Sequence, residues 1–305
     1  MRLRPFALLA SLLALMLSAF PPAHAQTIAF TFDDGLDPAT HPDALRWNGQ
    51  LLRTLSRSGV RAMIFPAGRM GGTPTGLPLV RAWADSGHTV GNHTWSHRNL
   101  AGRITLAEFL ADVGRADSLL SGMPTWRPML RFPYLKEGDT AEKRDGVREW
   151  MRERGYRPAP VSVDASDWYY NQRYLELIAE RRTSKLPRLR DAYLAHLWDR
   201  AVYYDSLART VLHRSPAHVL LLHTNAINGA YLGDVIAMFR ERGWRVVPPD
   251  EAFADELYAT QPSGLPAGEG IVWALARDAG VTGLRYPAED GEYEKPAVDR
   301  ALGGP

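Results

Sequence analysis

The chain reads as an α/β protein built on a parallel sheet, and three observations carry that reading. Short apolar runs alternate with helix-length amphipathic stretches from about residue 27 to residue 247. Most intervals between them are short, the pattern of strands joined by crossover helices, with the sheet closed as a barrel or left open. Chemically unusual polar residues also fall just past the C-terminal end of almost every run, the edge where parallel sheets gather their ligands.

Seven strands are expected. Thr27–Phe32 is β-rich and stops at Asp33-Asp34-Gly35, and Leu45, Leu51, Leu52 and Leu55 then recur at helical spacing over residues 43–58. Further strands are expected at 61–65, 88–90, 129–132, 160–163, 218–222 and 244–247, with helices at 79–86, 106–120, 140–154 and 232–241. The interval 169–215 is too long for one ordinary connection. Leu194, Leu197, Ala201 and Tyr204 at helical spacing make it an inserted helical pair before the sixth strand. The tail, 260–305, is rich in Gly, Pro and charge and is expected to be irregular, apart from an apolar stretch at 271–275 that docks on the body.

Bulk properties narrow the function. The 305 residues carry 45% hydrophobic and 23% charged side chains, ordinary for a globular protein. A formal charge of +2, with no concentrated basic run, argues against nucleic acid as a partner. The N-terminus has Arg2 and Arg4, an apolar run over 6–20 and Ala23-His24-Ala25. This is the pattern of a secretory signal peptide cleaved after Ala25, so residues 1–25 are read as signal, 26–259 as the functional domain and 260–305 as the tail. The protein is expected to be exported, periplasmic or secreted, with no integral span after cleavage. There is no cysteine, which excludes disulfides and thiolate chemistry, so any metal must sit on His, Asp or Glu.

The strand-end residues suggest such a metal. His93 and His97 have i,i+4 spacing, which on a helical turn lets two imidazoles reach one ion. Two histidines and one carboxylate leave a fourth position open, as in catalytic zinc sites. Zinc is the default expectation, and the ligand set also suits cobalt, nickel or iron. A metal in such a site lowers the pKa of water from 15.7 to about 7 and polarises a carbonyl oxygen. Of the adjacent Asp33 and Asp34, one can ligate while the other stays free as a base. Arg131 can hold that base ionised, and His223, with Asp167 favouring its charged form, can donate a proton.

These residues lie in five ordered motifs: T-F-D-D-G (31–35), H-T-W-S-H (93–97), R-F-P-Y (131–134), D-A-S-D-W (164–168) and L-L-H (221–223). Together they resemble the motifs of the polysaccharide deacetylases, the NodB-homology family that includes family 4 carbohydrate esterases. The resemblance implies a distorted (β/α)7 barrel and metal-dependent hydrolysis of acetyl groups on a glycan. It implies Asp33 as general base, Arg131 as the residue orienting it, His223 as general acid and Asp167 as the acid's partner. Asp34, His93 and His97 become the metal ligands. Trp168 and Leu221 would line the slot for the acetyl methyl, and the Tyr134 amide would stabilise the oxyanion.

Leu36 and Leu135 depart from the family, standing where many members carry Pro and Gly. Tyr169, Tyr170, Asn171, Asn225 and Asn228 are further substrate-contact candidates. His41, His88, His196, His213 and His218 are read as structural or surface groups, and Trp83 and Trp198 as core. An acetylated glycan is the expected partner, and no protein partner is implied. An O-acetyl esterase, a small-molecule deacylase and a catalytically silent carbohydrate-binding protein are the alternatives.

Overall fold

The computed structural model describes residues 26–285, 287 and 291–304. The expected signal peptide, 1–25, lies outside the described residues. The strands are β1 (Thr27–Asp34), β2 (Met63–Pro66), β3 (Thr89–Asn92), β4 (Trp126–Leu130), β5 (Lys136–Gly138), β6 (Arg157–Pro158), β7 (Ala217–His223), β8 (Arg245–Val246) and β9 (Ala267–Gly268). The helices are α1 (Ala44–Arg57), α2 (Gly68–Gly71), α3 (Leu77–Asp85), α4 (Leu106–Leu120), α5 (Ala141–Glu153) and α6 (Asp167–Ala179). They continue with α7 (Leu186–Leu212), α8 (Ala226–Glu241), α9 (Pro249–Ala252), α10 (Ile271–Asp278) and α11 (Gly291–Ala301).

The main sheet is parallel throughout, in the order β6-β4-β3-β2-β1-β7, with β8 paired to the start of β1. Its two edges meet along the stretch 157–163. Ala159 donates its N–H to the Leu130 carbonyl at 2.8 Å, and Ser162 and Val163 donate theirs to Val219 at 3.1 and 3.0 Å. Val163 forms a parallel bridge with Leu220. The sheet thus curls into a distorted (β/α)7-type barrel. Pro158 and Pro160 interrupt this strand because neither can donate to a ladder, so the expected strand at 160–163 is reduced to β6 and the bridge at Val163.

Side-chain alternation along β1 positions the chemistry. Ile28, Phe30 and Phe32 point into the layer between sheet and helices, where Phe30 meets Phe239 and Phe32 meets Trp83. Thr31 and Asp33 point to the opposite face. On the helical side, Trp47, Leu51 and Leu55 of α1 are buried, and α4 begins with a reciprocal Thr105–Glu108 capping box.

The insert is the expected helical pair, α6 and α7, joined by a short turn over 183–185. Along α7, Leu189, Tyr193, Leu197, Ala201, Tyr204 and Ala208 are fully buried, so the insert belongs to the main core. The tail differs from its expectation. The apolar stretch lies in helix α10, and the tail also holds helix α11 and a strand, β9, that pairs antiparallel with β5. Ile271, Val272, Ala276, Val298 and Leu302 join the same core. Its Gly and Pro content misled because both punctuate helices here: Gly270 precedes α10 and Pro296 sits inside α11.

Candidate active site

The end of β1 carries the first two carboxylates. Residue alternation turns them apart, leaving Asp33 buried and the Asp34 side chain a quarter exposed. Asp34 has φ +81° and Gly35 φ +88°, both left-handed. A Cβ on Gly35 would stand 2.7 Å from the Gly71 Cα, so this turn requires glycine.

Arg131, wholly buried just past β4, reaches across the barrel to Asp33. Its Nη1 donates to both Asp33 oxygens at 2.9 and 3.1 Å, its Nη2 to Thr31 Oγ1 at 3.1 Å and its Nε to the Ala159 carbonyl at 2.5 Å. Burial pushes the Asp33 carboxyl up to about 6, against the pull of Arg131. The carboxylate is therefore basic enough to take a proton and is fixed in place.

His93 and His97 converge on Asp34. Asp34 Oδ1 lies 3.7 Å from His93 Nε2 and 3.4 Å from His97 Nε2. The His93 Nδ1–H donates to the Arg131 carbonyl at 2.7 Å, which leaves its Nε2 lone pair facing the carboxylate. Burial holds the His93 pKa well below the ordinary value and lowers that of His97, so both rings are neutral. Asp34 Oδ1 is buried and has no hydrogen-bond partner. A buried, unbonded carboxylate oxygen facing two imidazole lone pairs fits a cation, and this trio could hold one divalent ion.

The helical turn expected for the two histidines is absent. Residues 93–97 form a loop in which Thr94 and His97 take φ +64° and +54°. The Asn92 side chain accepts from the Thr94 amide at 2.8 Å, and Asp112 of α4 accepts from the Ser96 amide at 2.8 Å. Loop geometry, not helical periodicity, brings the rings to 4.8 Å.

Opposite this trio, at the end of β7, His223 hydrogen-bonds through Nδ1 to Asp167 Oδ1 at 2.7 Å. Asp167 Oδ2 accepts from the His223 amide at 2.8 Å, Asn225 Nδ2 at 3.0 Å and Asn228 Nδ2 at 2.7 Å. Burial by itself would lower the His223 pKa. The fully buried Asp167 carboxylate outweighs it and lifts the imidazole to about 10, so the ring carries a proton at neutral pH.

A cavity of about 710 Å³ opens over these groups. Asp33, Asp34, His93, His97 and His223 line it, together with Tyr134, Trp168, Leu221 and Asn225. Arg131 and Asp167 stand behind the wall. Asn171 also lines it, whereas Tyr169, Tyr170 and Asn228, expected as substrate contacts, are buried behind the lining residues. The Asn225 amide is committed to Asp167 and to capping α8. His41, read as structural or surface, is exposed at the cavity's edge. Of the two departures, Leu135 is buried at φ +56°, a conformation glycine takes without strain, and Leu36 is buried in the cavity wall. Sequence reasoning missed Thr31 as an Arg131 partner, although its alternation with Asp33 marks it as sharing that face.

Residues 21–158 match the family model described as polysaccharide deacetylase. Among curated proteins, a peptidoglycan-N-acetylglucosamine deacetylase of Bacillus cereus is 30% identical over 149 residues, 48% of this chain and 48% of that protein. A chitin deacetylase of a Pestalotiopsis species is 29% identical over 150 residues, 48% of this chain and 44% of that one. The chain thus spans about half the length of these relatives. Among solved structures, a peptidoglycan N-acetylglucosamine deacetylase superposes with TM-score 0.51 at 22% identity, covering 76% of this chain and 90% of that one. A Streptococcus mutans CE4 esterase gives 0.51 at 18%, covering 73% and 87%. These two share the fold.

Proposed function

We infer, from the match of residues 21–158 to the polysaccharide deacetylase family model, that this protein is a divalent-metal-dependent hydrolase removing acetyl groups from a carbohydrate. One observation carries the reading. The unbonded Asp34 Oδ1 and the two imidazole Nε2 atoms face a cavity that Asp33 and His223 line as well.

Asp34, His93 and His97 hold the ion, with zinc first and cobalt, nickel or iron as alternatives. When bound, the ion acidifies water and polarises the acetyl carbonyl. Arg131 keeps Asp33 oriented, and Asp33 takes a proton from the attacking water. The new C–O bond forms at the carbonyl carbon, and the Tyr134 amide donates to the developing oxyanion. His223 delivers its proton to the leaving nitrogen as the C–N bond breaks, and Asp167 offsets the charge that His223 carried. Acetate and a free amine result. Trp168 and Leu221 supply apolar wall for the acetyl methyl, consistent with their place in the cavity lining.

N-acetylglucosamine-containing polymers are the leading substrate class, since the relatives are named as deacetylases of such glycans. The unit that acts is taken as residues 26–259 with the insert 169–215, and 260–305 packs on it. Export is supported by the charged and apolar pattern of residues 1–25, and no helix among the described residues is long and apolar enough to cross a membrane. Mass spectrometry of exported protein is expected to find Gln26 at its N-terminus; retention of residues 1–25 would oppose this.

The test is acetate release from chitooligosaccharide, peptidoglycan fragments and acetyl-xylan with added divalent metals. Release from an N-acetylated glycan supports the reading. Release from acetyl-xylan alone makes the protein an O-acetyl esterase. Binding without release makes it a silent carbohydrate-binding protein, and acetate only from small acetylated compounds makes it a small-molecule deacylase.

A further inference from the structure

We propose that the long helix of the insert, α7, supplies a positioning residue for the reaction: Tyr193, acting through Asn228, fixes the Asp167–His223 pair. The inference rests on the reading of His223 as proton donor and assigns a role to residues outside the five motifs.

The geometry runs as an unbroken chain. The Tyr193 hydroxyl donates to Asn228 Oδ1 at 2.6 Å. Asn228 Nδ2 then donates to Asp167 Oδ2 at 2.7 Å and to the His223 carbonyl at 2.9 Å, and its amide N–H goes to Asn225 Oδ1 at 3.0 Å. Tyr193, Asn228 and Asp167 are all fully buried, so water cannot substitute for a missing partner. An asparagine amide can turn over and exchange its oxygen for its nitrogen. Turned over, Asn228 would set its oxygen against the Asp167 carboxylate. The Tyr193 hydroxyl opposes this by demanding an acceptor on its own side. Burial, reinforced by the Asp167 charge, holds the Tyr193 pKa well above the ordinary value, so the phenol remains a donor.

The same helix face makes a second contact. His196, three residues on, accepts the Ser166 amide at Nε2 at 3.0 Å, and Ser166 immediately precedes Asp167. The Tyr170 ring packs against both Tyr193 and His196, at 5.5 and 4.9 Å. Asp167 is therefore gripped from α8 and from α7. Its Oδ1 is left to set the angle of the His223 ring, and with it the line along which Nε2 delivers a proton. Small misplacements of a catalytic group are costly to turnover.

A proton donor matters only when the leaving group needs the proton. The experiment measures, in one preparation of each protein, hydrolysis of chitotetraose, whose leaving group is an amine, and of 4-nitrophenyl acetate, whose leaving group departs unprotonated. The ratio of the two rates does not depend on the folded fraction, so instability of a variant cancels. Tyr193→Phe and Asn228→Ala are expected to lower the chitotetraose-to-ester ratio at least about tenfold, within the range general acid catalysis contributes. A helix that merely supports the fold would lower both rates together, and an unchanged ratio overturns the proposal. A second readout needs no turnover. NMR of ¹⁵N-histidine-labelled protein is expected to lose the low-field His223 Nδ1 proton in Tyr193→Phe, and its persistence unchanged also overturns the proposal. If wild-type protein releases no acetate from chitotetraose, the functional reading fails on that substrate, and the NMR comparison still decides the role of Tyr193.

Discussion

Two side chains at neighbouring strand ends hold opposite proton states in this site. Asp33 is kept as a carboxylate by Arg131, and His223 is kept charged by Asp167. Replacing His223 with Ala is expected to lower acetate release about 10²–10⁴-fold while zinc binding, followed by calorimetry, is retained; a fully active variant would remove the acid from the scheme. Arg131→Met leaves Asp33 buried without its counter-charge and is expected to cost roughly 3–5 kcal/mol in urea unfolding. These residues were legible in the sequence because parallel strands deliver their C-terminal neighbours to one edge. Asn228 and Tyr193 were not. Asn228 reads as a substrate contact and Tyr193 as one more tyrosine in a long insert, and only tertiary contact shows their partners.

At the scale of elements, the loops after the strands set the geometry. Gly35 is the clearest case, held at φ +88° with its Cα face against Gly71. Gly35→Ala is expected to cost about 1–3 kcal/mol through backbone strain alone, with more from the clash. It should also weaken zinc affinity by displacing Asp34; a variant that melts and binds like wild type would contradict that description. In the His93–His97 loop the two rings converge as expected, but not through helical periodicity. The spacing pointed to a helical turn, but Asn92 and Asp112 capture the local amides first, and three-residue turns compete well with helix when a side chain offers the bond. The insert was visible as a helical pair from its apolar spacing. Its burial on the barrel was not, since amphipathicity shows that a face is covered without saying by what.

At the scale of the whole molecule, sheet, insert and tail helices share one large buried cluster, with two smaller ones beside it. Acid should loosen it. His88 accepts the Ala62 amide at Nδ1 and His196 the Ser166 amide at Nε2, so each ring must stay neutral to keep its bond. Burial depresses both to about 4, with Arg61 adding to the effect at His88 and Glu294 opposing it at His196. Between about pH 6.5 and pH 4 the unfolded chain takes up protons that the folded protein refuses. The contribution of these two histidines is therefore full above 6.5 and falls with pH by up to about 1.4 kcal/mol per unit for each. Urea midpoints at pH 7.5 and 4.5 check the sign, and a higher midpoint at 4.5 would reverse it. The α/β class and strand order of appearance could be read from alternating apolar runs. The barrel's seam at 157–163 and the helical tail could not, because prolines and glycines mark breaks without saying what packs between them. The most direct test of the account is anomalous diffraction at the zinc edge from zinc-soaked crystals. The expected result is one peak about 2.0–2.2 Å from Asp34 Oδ1 and from the Nε2 atoms of His93 and His97. Zinc bound elsewhere, or no peak among these three side chains, would contradict it.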